Sequence, residues 1–374
     1  MSGIYIHIPF CRKKCLYCDF YSIGARNAPW NTLVDSLLAE AYSRAAELAR
    51  PPRTLYIGGG TPSLMPADQF RRLVSGLRAI FDCTRLEEFT VEVNPEDVDT
   101  GLVDQMAEAG VSRASMGIQS FSDSELRAIG RRHTAACAIE AYGLLRKLGN
   151  VSIDLIFGLP DQDIDRWQDN VAEALRLHPE HISAYSLMWE PGTPLELLRS
   201  QGRRSEVPEE LSAEMFATLS VMLRAAGYEQ YEISNYALPG YRSRHNSSYW
   251  QGLPYLGLGP GAHSYDGVRT RRANPADILR YTRHFAAIPA NPFYEEEVLT
   301  DDELREEYLL TRLRTREGFP ISEFLARFGR QPLQNLLTAA RPHADAGRLR
   351  LDSDRIALTQ AGIMVSDTII SDLF

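Results

Sequence analysis

The chain has 374 residues, and 40 Lys and Arg stand against 49 Asp and Glu, a formal net charge of −9. That length suits two domains or one large domain with an appendage, and it buries a core without disulfide staples. Mild acidity excludes a whole-surface nucleic-acid footprint, and no basic-then-apolar leader or apolar run of about 18 residues points to secretion or a membrane span, so a cytoplasmic protein is expected.

Six short β-branched or aromatic runs are predicted strands: Ile4–Ile8, Thr54–Gly58, Phe89–Val93, Arg113–Ile118, Ser152–Phe157 and Ile182–Leu187. Helix-period stretches fall between them at Thr32–Ala49, Ala67–Phe81, Gly101–Ala109, Ala135–Leu148 and Asp165–Leu177. Such alternation predicts an α/β fold with a parallel sheet. A partial (β/α)6 TIM-like barrel is preferred, with chemistry at the carboxyl ends of its strands; an open doubly wound sheet has the same alternation. Past Leu187 the pattern loosens, with turn signals at Glu190–Thr193, Leu238–Gly240 and Gly257–Gly261. A helix at Glu209–Ala226 and a strand at Glu229–Ser234 are expected at the barrel edge. The tail reads as helices at Asp301–Arg314, Ser322–Phe328 and Leu333–Asp345, a hairpin of Arg348–Leu351 and Arg355–Leu358, and a last helix, an order that suits a small winged-helix-like domain. The expected division is therefore a core at 1–190, a barrel-edge extension at 191–298 and a C-terminal domain at 299–374.

Three of the five cysteines, Cys11, Cys15 and Cys18, fall within eight residues just after the first strand. An odd number cannot pair completely, so the cluster reads as a metal site rather than a disulfide framework. Three thiolates are too few to close a structural zinc site or a cubane cluster, which take four ligands. Either another residue such as His7 completes the shell, or one metal position is open to a small molecule. Glycines at Gly58-Gly59-Gly60-Thr61-Pro62 follow the second strand, where they make a tight turn or let backbone N–H groups approach a ligand. Glu92, Gln119 and Asp154 interrupt or end neighbouring apolar strands, and buried polar groups need partners, so these three are expected to line one pocket.

The C-x3-C-x2-C run after strand one, with Tyr17 before its third cysteine, resembles the radical S-adenosylmethionine superfamily. The resemblance implies that Cys11, Cys15 and Cys18 hold a [4Fe-4S] cluster whose fourth iron is chelated by the amino and carboxylate groups of S-adenosylmethionine. It further implies that Gly59, Gly60 and Thr61 hold the methionine end of that molecule, that Glu92 contacts its ribose, and that Tyr5, Tyr17, Gln119, Arg131 and Asp154 complete the site.

Tyr5-Ile-His-Ile-Pro-Phe-Cys11, Gly58–Leu64, Ser115–Phe121 and Ile153–Pro160 extend the likeness to the oxygen-independent coproporphyrinogen III oxidase group. The oxidases of that group carry a fourth cysteine two residues past the third; here that position is Phe20. The chain is instead similar to the HemW subfamily of haem chaperones, whose H-N-x-x-Y-W motif is matched by His245-Asn-Ser-Ser-Tyr249-Trp250. This likeness implies haem as a ligand, with contacts at His245, Tyr249 and Trp250, and acceptor haemoproteins, respiratory ones among them, as partners. An imidazole can ligate iron and aromatic rings can stack on a porphyrin, while Arg242, Arg244, Arg269, Arg271 and Arg272 could pair with propionates. A homodimer, and peripheral membrane contact through an acceptor, are compatible with it. The other reading is an oxidase that decarboxylates coproporphyrinogen propionates by radical chemistry. Cys83 and Cys137 match no motif and are assigned no role.

Overall fold

A computed structural model describes residues 2–287 and 292–374. The first strand, β1 (Gly3–Ile8), runs into a short pair, β2 (Phe10–Cys11) and β3 (Ile23–Gly24), that pinches the base of the cysteine loop. Five strand–helix steps follow: α1 (Trp30–Arg44), β4 (Thr54–Gly59), α2 (Ala67–Ile80), β5 (Glu88–Val93), α3 (Thr100–Glu108), β6 (Arg113–Gln119), α4 (Asp123–Ala128), α5 (Ala135–Leu145), β7 (Val151–Phe157), α6 (Ile164–Leu177) and β8 (His181–Ser186). The helices start where side chains satisfy the first free N–H groups. Asp99 accepts from Leu102 N at 2.7 Å, and Asp163 and Thr134 cap α6 and α5 in the same way. The expected helix over 135–148 closes three residues early as a 3₁₀ turn ending at Gly149, whose φ is +78°.

Beyond the core come α7 (Pro194–Ser200), α8 (Glu209–Ala225), β9 (Glu229–Glu232), β10 (Asn235–Ala237), α9 (Arg244–Trp250), β11 (Tyr255–Leu258), β12 (His263–Tyr265), β13 (Thr270–Ala273), α10 (Ile278–Phe285) and β14 (Glu295–Val298). The tail comprises α11 (Asp301–Leu313), β15 (Phe319–Pro320), α12 (Ile321–Phe328), α13 (Arg330–Asp345), β16 (Leu349–Leu351), β17 (Arg355–Leu358), α14 (Gln360–Ile363) and α15 (Ser366–Asp372). Helices over a three-stranded wing, ordered β15-β17-β16, share their own core of Leu309, Phe319, Phe324, Leu336 and Ile356.

One sheet carries the molecule, ordered β14-β13-β12-β11-β1-β4-β5-β6-β7-β8-β10-β9 among the described residues. Its six central strands are parallel, which gives a partial (β/α)6 barrel whose edges β14 and β9 are not paired to each other. The register places Ile4 beside Leu55, Leu55 beside Phe89 and Ile153 beside Ile182, so one face is aliphatic and buried against the helices. The alternate positions face inward and are polar: Tyr5 pairs with Tyr56, Glu92 with Ser115, Gly117 with Asp154, and Asp154 with Ser183. The residues that looked like interruptions of apolar strands are thus the regular inward positions of the barrel.

Sequence periodicity missed β11 to β14. Gly257, read as part of a turn, lies inside β11, because any Cβ there would collide with the backbone of His263 on the way to β12. The strand expected at Glu229–Ser234 is β9, which ends at Glu232 and pairs antiparallel with β10, the register shifting between Asn235 and Tyr236.

Candidate functional site

At the carboxyl ends of the parallel strands lies a cavity of about 580 Å³. It is lined by Cys11, Cys15, Cys18, Tyr17, Gly59, Gly60, Thr61, Glu92, Gln119, Arg131 and Asp154, so residues up to 143 positions apart in sequence meet in one cavity that holds nearly all of the candidate cofactor set. The cysteine loop is tied down by backbone. Leu16 N donates to Ile129 O at 3.0 Å, Ala25 N to Cys11 O at 2.7 Å, and Leu195 N to Leu16 O at 2.9 Å. Thr61 Oγ1 donates to Cys11 Sγ at 3.5 Å and Arg131 Nη1 to Cys15 Sγ at 3.6 Å. Arg131 also donates to Asn94 Oδ1 at 2.9 Å and to Gly117 O, whereas the adjoining Arg132 is exposed. Burial pushes the Cys18 thiol up to about 11.

All three cysteines line this cavity, and among the described residues no three His, Cys, Asp or Glu groups are placed to grip a single ion. His7, the residue weighed as a fourth zinc ligand, is engaged elsewhere: Tyr5 Oη lies 3.0 Å from its Nδ1 and Tyr21 O 2.9 Å from its Nε2.

Gly59 has φ of +110°, which an L side chain rarely adopts, and a Cβ at Gly60 would sit 2.7 Å from Phe10 O. Gly59 N donates to Glu92 Oε2 at 3.0 Å and Tyr56 Oη to Glu92 Oε1 at 2.8 Å. Burial nevertheless dominates, pushing the Glu92 carboxyl from near 4.5 up to about 7, with repulsion from Asp154 adding to it. Gln119 is held at φ +71°, a strained conformation for a non-glycine residue, where the register of β6 and β7 slips. Tyr5 is the exception among the cofactor candidates: it lines a second cavity instead.

That second cavity, of about 700 Å³, opens between the β11–β13 wing, α9 and α11. Tyr249 and Trp250 line it, and Asp19 and Phe20 line both cavities. His245, expected beside them at a haem, lines neither. It is 1% exposed and packs at the amino end of the barrel, where Thr54 Oγ1 lies 2.8 Å from its Nδ1 and Tyr249 Oη 2.7 Å from its Nε2. The Glu88 carboxylate accepts from the N–H groups of Arg244 (2.8 Å) and His245 (2.9 Å), fixing the start of α9. Burial, with the charge of Arg113 adding to it, pushes the His245 imidazole down to about 3. The five arginines expected at propionates are each in ion pairs: Arg242 with Glu229 and Glu317, Arg244 with Glu87, Arg269 with Asp301, Arg271 with Glu307, and Arg272 with Glu47 and Glu296. Of these only Arg271 lines the second cavity. Sequence reading missed His263 and Arg327 there, because neither belongs to a motif.

Residues 5–174 match the radical SAM superfamily and residues 299–365 the HemN C-terminal domain. The heme chaperone HemW of Bacillus subtilis is 34% identical over 99% of this chain and 98% of its own length. The chain belongs to the HemW family. Other HemW proteins agree, from Lactococcus lactis (36% identical, 87% of this chain and 85% of the relative) and from Escherichia coli (35%, 87% and 86%). The solved structure of Escherichia coli coproporphyrinogen III oxidase (HemN), described as a radical SAM enzyme, superposes with a TM-score of 0.84 at 22% identity, covering 100% of this chain and 89% of that one; the HemW chain shares its fold. No helix among the described residues is long and apolar enough to cross a membrane.

Proposed function

We propose that the protein is a haem-binding chaperone that hands haem to acceptor haemoproteins and carries a [4Fe-4S] cluster with S-adenosylmethionine beside the haem. Residues 1–190 would form the cofactor-bearing core, 191–298 the extension that presents the H-N-x-x-Y-W helix, and 299–374 a C-terminal domain. One observation carries the reading: a cysteine-lined cavity and an aromatic one share Asp19 and Phe20 as a common wall, in a chain similar end to end to proteins named heme chaperone.

The residues present fit the cofactor. Cys11, Cys15 and Cys18 offer three sulfurs on one anchored loop, and Arg131 and Thr61 donate to two of them. Gly59 and Gly60 form part of the cavity wall at positions where a Cβ would strike the His7 ring or the Phe10 carbonyl. Glu92 and Asp154 would face the ligand's hydroxyls, with Tyr17, Gln119 and Arg131 lining the same cavity. When bound, the cluster would supply one-electron reduction of the sulfonium. The chain's own part is to position the ligand, screen its charge and, with Phe20 exposed on the shared wall, separate it from the neighbouring cavity.

Anaerobic reconstitution followed by haem titration tests this. Stoichiometric haem binding with no turnover of coproporphyrinogen III is the expected result; multiple turnovers would establish the oxidase instead. Replacing Cys11, Cys15 or Cys18 by Ser should abolish bound iron and sulfide with unchanged far-UV circular dichroism, and retained iron would remove that cysteine from the ligand set.

A further inference from the structure

We infer that haem is held in the aromatic cavity between the β11–β13 wing and α11, with His263 as the imidazole on its iron and Arg327 at its propionates; this rests on the haem-chaperone reading above.

The cavity follows from register. Tyr265 stands opposite Tyr255 on one side and Arg271 on the other, and two-residue alternation adds His263 to the same face. That face continues the inward face of β1, where Tyr5 and His7 point, so the wing extends the barrel wall sideways past the first strand. Helix α11 covers it with Leu304 and Tyr308, and α9 closes one end with Tyr249 and Trp250. Its volume of about 700 Å³ sits within the ~300–1,000 Å³ of small-molecule sites. Rings from Tyr249, Trp250, Tyr255, Tyr265 and Tyr308 give a planar tetrapyrrole apolar faces on which to stack.

An iron needs a free donor atom. Three histidines lie in or beside this cavity, and two are spent: His7 on Tyr5 and Tyr21, His245 on Thr54 and Tyr249. Among the described residues His263 makes no side-chain hydrogen bond. Partial burial and the charge of Arg271 hold its ring below the ordinary imidazole value, which favours the neutral form that offers a lone pair to a metal.

Propionates need an uncommitted cation. Arg271 and Arg312 line the cavity but are paired with Glu307 and Glu323. Arg327 has no ion pair among the described residues; its guanidinium lies over the rings of Tyr308 (5.5 Å) and Phe328 (5.3 Å). Three further polar atoms on lining residues, Trp250 Nε1, Asn274 Oδ1 and Tyr308 Oη, are buried without a hydrogen-bond partner among the described residues, and such orphans favour a ligand that satisfies them.

Ferric haem is titrated into the full-length protein and followed by Soret absorbance and electron paramagnetic resonance. Wild type should bind one equivalent with an imidazole-ligated spectrum; failure at this step would overturn the chaperone reading itself. His263→Ala should lose that signature, bind haem about tenfold or more weakly, and regain the spectrum on addition of free imidazole. His263→Gln should fail in the same way with unchanged thermal stability. Wild type should prefer haem over its dimethyl ester, and Arg327→Ala should bind both alike. Thr311→Trp, which fills the cavity from α11, should block binding. Wild-type spectra and affinity in His263→Ala, or unimpaired binding in Thr311→Trp, would place the haem elsewhere and overturn the inference.

Discussion

Glu92 and His245 lie at opposite ends of the same barrel wall and respond to pH with opposite signs. Burial raises the Glu92 carboxyl to about 7, so the folded protein keeps a proton that the unfolded chain releases above about 4.5. This contribution is fully present below pH 4.5 and is lost as pH rises through 7. Glu92→Gln should therefore flatten that decline in urea titrations of the cofactor-free protein, by about 2 kcal/mol after allowance for solvent at the cavity. His245 titrates near 3 when folded, so its contribution is present above the ordinary imidazole value of 6.5 and is lost as pH falls from there. His245→Ala deletes two buried hydrogen bonds and a ring packed on Tyr56, and should cost about 2–4 kcal/mol of stability. The same variant should keep the wild-type haem spectrum in its folded fraction; loss of that spectrum at unchanged stability would return the imidazole to the haem.

Helix α11 couples two regions at the scale of elements. Tyr308 and Leu309 enter the C-terminal core, while Leu304, Glu307 and Thr311 line the aromatic cavity. Its start is secured by a capping box in which Thr300 accepts from Glu303 N and the Glu303 carboxylate accepts from Thr300 N. Thr300→Ala should cost about 1 kcal/mol, read as a lower urea midpoint, and should speed hydrogen exchange in the first turn of α11. The βα units were legible in sequence because buried parallel strands between amphipathic helices leave a strong apolar rhythm. β12 to β14 were not, since strands of three or four residues such as Glu295–Val298 are too short and too charged to mark a period.

At the scale of the whole molecule, ligand binding should stabilise one side more than the other. Haem at about 100 times its dissociation constant adds about 2.7 kcal/mol to the folded state. The site inferred above places the resulting hydrogen-exchange protection in β11, β12 and α11, with little change in β6 and β7 across the barrel. Uniform protection, or protection confined to the cysteine loop, would contradict that placement.

The sequence by itself determined the covalent pattern: three thiols at fixed spacing after one strand, glycines after the next, and six apolar runs that can lie only between helices. Local periodicity and spacing carry such information because their physics acts between near neighbours. Which polar groups are free was decided by tertiary structure alone. His245 stood out in a motif, yet Thr54, some 190 positions earlier, and Tyr249 occupy both its nitrogens. His263 stood in no motif, yet the pairing of short antiparallel strands turns it into a cavity with no hydrogen-bond partner among the described residues. A side chain's availability depends on what the whole fold brings to within about 3 Å of it, and residues hundreds of positions apart settle that only when the chain closes.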